Sequence, residues 1–195
     1  MTTPKPLHRQ ITASALPRLF KCAYFARIDV EHWPAPPGEA AQTGTQVHEY
    51  IAQFLAKEPT APAIIEGADA TRASLLFAAW REWQRANGTA WTPEVKLALD
   101  IASGAAHRLA AKDPRDYHEA TDGEVVGSAD AVFVPAAGGV VVGDWKTGDR
   151  RYVHPSDTNE QLAFLALTAA RVHNRDGARV FLAFISEDGV AVDEA

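Results

Sequence analysis

The chain has 195 residues, of which 47% are hydrophobic and 23% are charged, and its formal net charge is −6. This composition is typical of a globular protein, and we expect one domain over residues 1–195. Apolar runs fall short of the roughly 18 residues that a membrane span requires, so we expect no membrane helix. The negative charge argues against a surface that coats nucleic acid everywhere, but it leaves room for a local basic patch.

The ends and the cysteine content suggest where the protein works. Residues 1–10 indicate a flexible arm without the apolar core of a signal peptide. Cys22 is the single cysteine, so an intramolecular disulfide or an iron–sulfur cluster held by this chain alone is excluded. We therefore expect a cytoplasmic protein.

The first half of the chain predicts helices. An apolar repeat indicates a helix within residues 14–24, and prolines predict a loop over residues 31–43. A second helix is expected from Gly44, with His48 in its first turn at the edge of the apolar stripe, and a third over residues 71–86. His48 is either a boundary histidine half covered by the core or a group that faces a cleft.

From residue 90 the hydrophobic period changes to two, which predicts strands. Residues 100–121 are expected to be irregular, and a Gly-rich turn at residues 136–139 predicts a hairpin. The expected elements are strands at 94–99, 124–134, 140–146 and 179–186, a helix from 155, and a short final strand after 189. This order predicts an α/β or α+β sheet covered by helices.

Three charged residues interrupt the apolar strands. Side chains alternate along a strand, so Asp144 and Lys146 share a face and Trp145 packs on the other. Asp130 is predicted on the apolar face of its strand with Val126, Val132 and Val134, where a charge is costly unless it is paired, metal-bound or at the end of the sheet. Asp130 and Asp144 lie at similar distances from the hairpin turn, so both can approach one cation. The alternative is two surface carboxylates on an edge, since a bare Asp-x-Lys is common by chance.

Polar residues after these strands offer two further candidates. Arg150 and Arg151 form a basic cluster that either contacts DNA phosphates or is solvated in a turn. Gln161 lies at the margin of the inward face of the next helix, where it either packs and caps or reaches into a site.

The order of these motifs resembles the PD-(D/E)XK nuclease superfamily, specifically its RecB-like exonuclease branch. The resemblance covers residues 11–186 and depends on a set of motifs in one order: Gly44-x-x-x-His48, Glu94 at a strand start, Gly127-x-x-Asp130, Asp144-Trp145-Lys146-Thr147-Gly148, and Gln161-Leu162. It implies a restriction-endonuclease-like core, with a central mixed sheet flanked by helices and an N-terminal helical segment.

The resemblance also implies roles for individual residues. His48, Asp130 and Asp144 would bind Mg²⁺, for which Mn²⁺ would substitute, and Glu94 would be a ligand or a neighbour of one. Oxygen ligands suit Mg²⁺, and an imidazole makes Mn²⁺ a good competitor. Lys146 would position or activate the attacking water and help to neutralise the scissile phosphate.

Further roles concern the substrate and its partners. Gln161 would orient the site or the DNA backbone, and Arg150 and Arg151 would hold the DNA strand. The resemblance implies a metal-dependent DNA exonuclease of recombination, repair or phage DNA processing, acting on single- or double-stranded DNA from an end. A helicase or recombination partner is expected to be a separate protein, if one exists.

Two departures from the family pattern leave other functions open. Ala23 follows Cys22 where the branch often has proline, and no late cysteine trio exists, which places the chain outside the iron–sulfur subgroup. Leu165 stands where a tyrosine is often found. The alternatives are a non-catalytic module that keeps the fold to bind nucleic acid or protein, and a restriction-type endonuclease, which would need dimerisation and contacts to base edges.

Overall fold

The computed structural model describes residues 11–21, 38–57, 71–110 and 117–195. The expected arm at residues 1–10, Cys22 and most of the proline-rich loop lie outside these ranges. The helices in the described part are α1 Leu16–Lys21, α2 Glu39–Leu55, α3 Arg72–Asn87 and α4 Glu160–Val172. The strands are β1 Ile11–Thr12, β2 Thr92–Asp100, β3 Ala106–Arg108, β4 Glu124–Phe133, β5 Val140–Lys146, β6 Ala178–Ser186 and β7 Gly189–Glu194.

The seven strands of the described part form one mixed sheet. Its order is β3-β2-β4-β5-β6-β7, and β1 pairs with β4 beside this path. The β1–β4 and β5–β6 pairs are parallel, and the other pairs are antiparallel. The restriction-endonuclease-like mixed sheet flanked by helices is therefore confirmed.

Helices bury both faces of the sheet. On one face, α4 packs Leu162, Leu165 and Ala169 against Val140 and Val142 of β5 and against the neighbouring strands. On the other face, α2 and α3 cover a cluster that is rich in aromatic residues. Trp145 of β5 belongs to that second cluster with a side chain only 1% exposed, which confirms its predicted packing role.

Two helix starts differ from the prediction. Helix α2 begins at Glu39 rather than at Gly44, because Ala40 and Ala41 are strong helix formers that extend it upstream. His48 therefore lies in the middle of the helix rather than in its first turn. Helix α4 begins at Glu160 rather than near residue 155, because the Asn159 side chain accepts a hydrogen bond from the backbone N–H of Leu162 and caps the helix.

The sequence analysis also missed two short strands, and one prediction of which residues share a strand face was wrong. β1 and β3 have two and three residues, too few for a detectable period. Val126 and Val132 were predicted to share a face with Asp130, yet they belong to different core clusters, whereas Ala129 and Val132 belong to the same one. The alternation of β4 therefore breaks around Asp130, and this irregularity lies at the candidate site.

Candidate functional site

The candidate site lies where β4 and β5 separate. Their backbones pair from Phe133–Val141 to Ala131–Gly143, and one further step in the same register would place Asp130 opposite Asp144. Beyond the last ladder pair, the side chain of Asp130 bonds to β5: its Oδ2 accepts a 2.7 Å hydrogen bond from the backbone N–H of Trp145. The predicted approach of Asp130 and Asp144 across the hairpin thus follows from the strand register.

Glu94 reaches the same place from β2. Pro93 pairs with Ala131 and Val95 pairs with Ala129, so Glu94 is opposite Asp130 in the register, although these two residues do not form a ladder pair themselves. Glu94 has a φ of 48°, a left-handed conformation that is strained for a non-glycine residue and is typical of functional sites. Its Oε2 accepts a 3.2 Å hydrogen bond from the hydroxyl of Ser128.

Helix α2 supplies the histidine by approaching the end of β5 closely. A Cβ atom at Gly44 would lie 2.9 Å from Oγ1 of Thr147, which explains a glycine one helical turn before His48. The approach places Nδ1 of His48 3.4 Å from Oδ2 of Asp130. The Gly-x-x-x-His motif thus combines a position of close helix–strand contact with a candidate metal ligand.

Three side chains from three elements converge here with the chemistry of a cation site. Ligand atoms of His48, Glu94 and Asp130 all lie within 4.8 Å of one another. Two carboxylates and an imidazole are donors that suit Mg²⁺ or Mn²⁺. Asp144 is not part of this group, and its Oδ2 lies 2.5 Å from Nζ of Lys146. Its predicted role as a ligand stays a prediction.

The charges of the group act strongly on one another. Burial raises the pKa of Asp144 to about 6, and the neighbouring Asp130 adds to the rise although Lys146 opposes it. Burial also acts to raise the pKa of Asp130, but His48, Lys146 and the Trp145 N–H outweigh it and hold that pKa below its ordinary value. Asp130 is therefore the more firmly ionised of the two aspartates.

The pKa values of Glu94, His48 and Lys146 are all raised. Burial raises the pKa of Glu94 to about 7, and the charge of Asp130 contributes to the shift. Burial acts to lower the pKa of His48, but Asp130 and Asp144 outweigh it and raise the value to about 9. The pKa of Lys146 is likewise raised by Asp144 against the effect of burial, so its amine remains an ammonium at neutral pH.

These side chains open into a cleft of about 790 Å³, within the usual range of ligand sites. Four of the predicted residues line it: His48, Glu94, Asp130 and Lys146. In the described part of the chain, the other predicted site residues are not among its lining residues: Asp144, Gln161, Arg150 and Arg151. Gln161 is the second residue of α4 and is partly exposed.

The sequence analysis did not identify two residues that lie beside Glu94. Lys96 is 2% exposed, its Nζ is 5.9 Å from the ring centroid of Tyr117, and its charge opposes the upward shift of the pKa of Glu94. Ser128 pairs with Lys96 across the strands and donates to Glu94. The sequence did contain a signal for Lys96: Glu94-x-Lys96 in an apolar strand has the same spacing as Asp144-x-Lys146.

Comparison with protein families agrees with this geometry. The family model of the PD-(D/E)XK nuclease superfamily matches residues 10–194. The chain belongs to the PD-(D/E)XK nuclease superfamily. Among curated proteins, none matches the chain. Helices of the described residues are all too short or too polar to cross a bilayer.

The residues of the predicted nuclease motifs lie on neighbouring strands of the sheet. Asp130, Asp144 and Lys146, the residues predicted from the motif order, lie on two adjacent strands of one hairpin, and the acidic Glu94 lies on the strand at the other side of β4. A nucleic acid is the substrate that the superfamily implies. The grouping of His48, Glu94 and Asp130 supplies residues that can hold a metal ion.

Proposed function

We propose that this protein is a divalent-cation-dependent DNA exonuclease of the RecB-like branch, acting as one domain in the cytoplasm. The observation that carries the proposal is the convergence of His48, Glu94 and Asp130 beside the ammonium of Lys146 in one cleft. Recombination, repair or phage DNA processing is the setting that the motif order favours.

His48, Glu94 and Asp130 would hold the cation, with Asp144 joining them as the resemblance implies. When bound, Mg²⁺ or Mn²⁺ lowers the pKa of a water molecule and stabilises the charge that develops on the phosphate. The site gathers buried carboxylates: burial is the main cause of the raised pKa values of Glu94 and Asp144, and the neighbouring charge of Asp130 adds to both. A bound cation would offset the cost of ionising them.

Lys146 would act as a positive hydrogen-bond donor rather than as a base. Its amine is held protonated by Asp144, and its side chain is 30% exposed toward the cleft. A compact ammonium can orient a water molecule and neutralise a phosphate oxygen at once. Asp144 fixes the direction of the amine through the 2.5 Å contact.

The test uses linear and covalently closed circular DNA, end-labelled where ends exist, with Mg²⁺, Mn²⁺ or a chelator. We expect degradation of linear DNA with either cation, no degradation with chelator, and intact circles, because an exonuclease needs an end. Lys146→Ala should abolish cleavage yet retain cation binding by calorimetry. Lys21→Ala removes an exposed lysine of α1 and should cleave like the wild type.

Three results would contradict the proposal in different ways. Cleavage of closed circles would indicate the restriction-type endonuclease instead. Cation and DNA binding without cleavage would indicate the non-catalytic module. Equal degradation by the wild type and by Lys146→Ala would assign the activity to a contaminant.

A further inference from the structure

The Glu94 side chain leaves β2 from an unusual backbone conformation. Its φ of 48° lies in the left-handed region, which costs free energy for a residue other than glycine unless the surrounding structure holds it. The neighbours Pro93 and Val95 nevertheless pair regularly with β4. Regular strand geometry therefore does not decide where the Glu94 carboxylate points, and the groups that contact it do.

Ser128 of β4 contacts this carboxylate directly. Its hydroxyl donates a hydrogen bond of 3.2 Å to Oε2 of Glu94. In the ladder Ser128 pairs with Lys96, so Glu94 is its diagonal neighbour, two residues along β2. Diagonal neighbours on one face of an antiparallel pair are within reach of each other's side chains. The register of β2 and β4 therefore places the serine hydroxyl beside the carboxylate.

Two further side chains lie near the same carboxylate. Lys96 is almost fully buried, and its Nζ is 5.9 Å from the ring centroid of Tyr117. Burial and the charge of Glu94 raise the pKa of Tyr117, so its phenol is also close to Glu94. Burial raises the pKa of Glu94, whereas the Ser128 hydrogen bond and the Lys96 charge act to lower it. Ser128 and Lys96 thus both favour the ionised carboxylate.

Glu94 is the residue of this cluster that reaches the nuclease cleft. In the described part of the chain, Glu94 lines the cleft, whereas Ser128, Lys96 and Tyr117 do not. A carboxylate oxygen of Glu94 lies within 4.8 Å of ligand atoms from the other two members of the candidate cation group. The Ser128 hydroxyl can therefore affect a bound cation through Glu94 rather than by direct contact.

We propose that Ser128 is a positioning residue of the cation site, whose hydroxyl holds the Glu94 carboxylate in the direction of His48 and Asp130. The inference rests on the proposed nuclease function, because it takes Glu94 as a ligand of the cation. A hydrogen bond to a ligating carboxylate keeps its oxygens in place, and loss of such a bond commonly lowers metal affinity roughly tenfold to a hundredfold. Glu94 depends on this bond because its strained backbone alone does not direct the side chain.

The test is calorimetric titration of the whole protein with Mn²⁺. We expect Ser128→Ala to bind Mn²⁺ about tenfold more weakly than the wild type. Glu94→Ala should also weaken binding, and adding Ser128→Ala to it should cause no further loss, because the hydroxyl acts through the carboxylate. Ser128→Thr keeps the hydroxyl and should retain most of the affinity.

A second serine provides the matched control. The hydroxyl of Ser103 also donates to a carboxylate, that of Asp100, at 2.9 Å, and Ser103 is not among the described residues that line the cleft. Ser103→Ala should therefore bind Mn²⁺ like the wild type. In cleavage assays, Ser128→Ala should need about tenfold more Mn²⁺ for its half-maximal rate, yet approach the wild-type rate at saturating Mn²⁺.

Failure of the inference can be told apart from failure of the nuclease proposal. Equal Mn²⁺ affinity of Ser128→Ala and the wild type would overturn the positioning role, even if Lys146→Ala abolishes cleavage. An equal loss of affinity with and without the Glu94 carboxylate would also overturn it, because Ser128 would then act by another route. A wild-type protein that neither binds Mn²⁺ nor cleaves DNA would overturn both proposals.

Discussion

The backbone N–H of Trp145 donates a 2.7 Å hydrogen bond to Oδ2 of Asp130, which ties a carboxylate of the site to the core. The indole of Trp145 lies on the opposite face, with ring centroids 5.7 Å from Trp80 and 5.4 Å from Phe181. Packing of this ring therefore determines where the backbone holds Asp130.

Loss of the Trp145 ring should destabilise the whole domain. We expect Trp145→Ala to lower the free energy of unfolding by about 3–5 kcal/mol, the usual cost of removing a large buried aromatic side chain. Trp145→Phe should cost less and retain cation binding, because the backbone N–H remains. Urea unfolding measures both changes, with Phe20→Ala as an exposed control expected within about 0.5 kcal/mol of the wild type. An unchanged unfolding midpoint in Trp145→Ala would refute the packing role.

Cation binding should depend on the charge of Asp130. Asp130→Asn keeps an oxygen that can accept from the Trp145 N–H but removes the negative charge between His48 and Glu94. We expect calorimetric titration with Mn²⁺ to show at least a tenfold weaker affinity. Asp176→Asn changes an exposed aspartate after α4 in the same way and should bind Mn²⁺ normally. Normal Mn²⁺ binding in both variants would place the cation elsewhere.

Without a cation, the protein should lose stability as the pH rises. The folded-state pKa values of Glu94, Asp144 and His48 are raised to about 7, 6 and 9 from 4.5, 3.8 and 6.5. Each raised pKa contributes stability that is complete below the unfolded value and is lost as the pH passes the folded value. The pKa of Asp130 is lowered, so its contribution to stability is lost as the pH falls rather than as it rises. That loss occurs below the ordinary pKa of 3.8 and does not affect the range from pH 5.5 to pH 8.

The measurement compares thermal unfolding at pH 5.5 and pH 8, with chelator and with Mn²⁺. With chelator the melting temperature should be lower at pH 8, and Glu94→Gln should reduce the difference because it removes one titrating group. Mn²⁺ should raise the melting temperature most at pH 8, since it binds the deprotonated ligands of the folded state. A chelated protein that gains stability between these pH values would contradict the raised pKa values of these three groups.

The motif glycine of β4 should be required for packing. A Cβ atom at Gly127 would lie 2.7 Å from Cβ of Ala13 and 2.9 Å from Cδ2 of Leu165. Gly127→Ala is therefore expected to overpack this contact and to cost about 1–3 kcal/mol in urea unfolding. Gly177→Ala, with no atom within 4 Å of the added Cβ, should cost much less. Equal stability of the two variants would show that α4 shifts without cost.

The sequence was informative wherever short-range patterns decide the structure. The alternation of β5 correctly separated Trp145 from Asp144 and Lys146, since side chains in a strand point to opposite faces whatever the strand pairs with. The short turn of residues 136–139 allowed the approach of Asp130 to Asp144 to be anticipated from counting alone. The order of the motifs also indicated the superfamily before any geometry was available.

The tertiary structure alone decided which carboxylates gather into one group. Glu94 meets Asp130 because a left-handed residue interrupts β2 opposite the break in β4, and no local pattern encodes such a coincidence of two distant segments. Equally, His48 reaches the cleft because Gly44 lets α2 approach Thr147. The sequence by itself determined the elements and the chemistry of their side chains, through local propensity and periodicity. The grouping of His48, Glu94 and Asp130 required the register between strands and the docking of α2. Both depend on contacts between segments that are far apart in the chain.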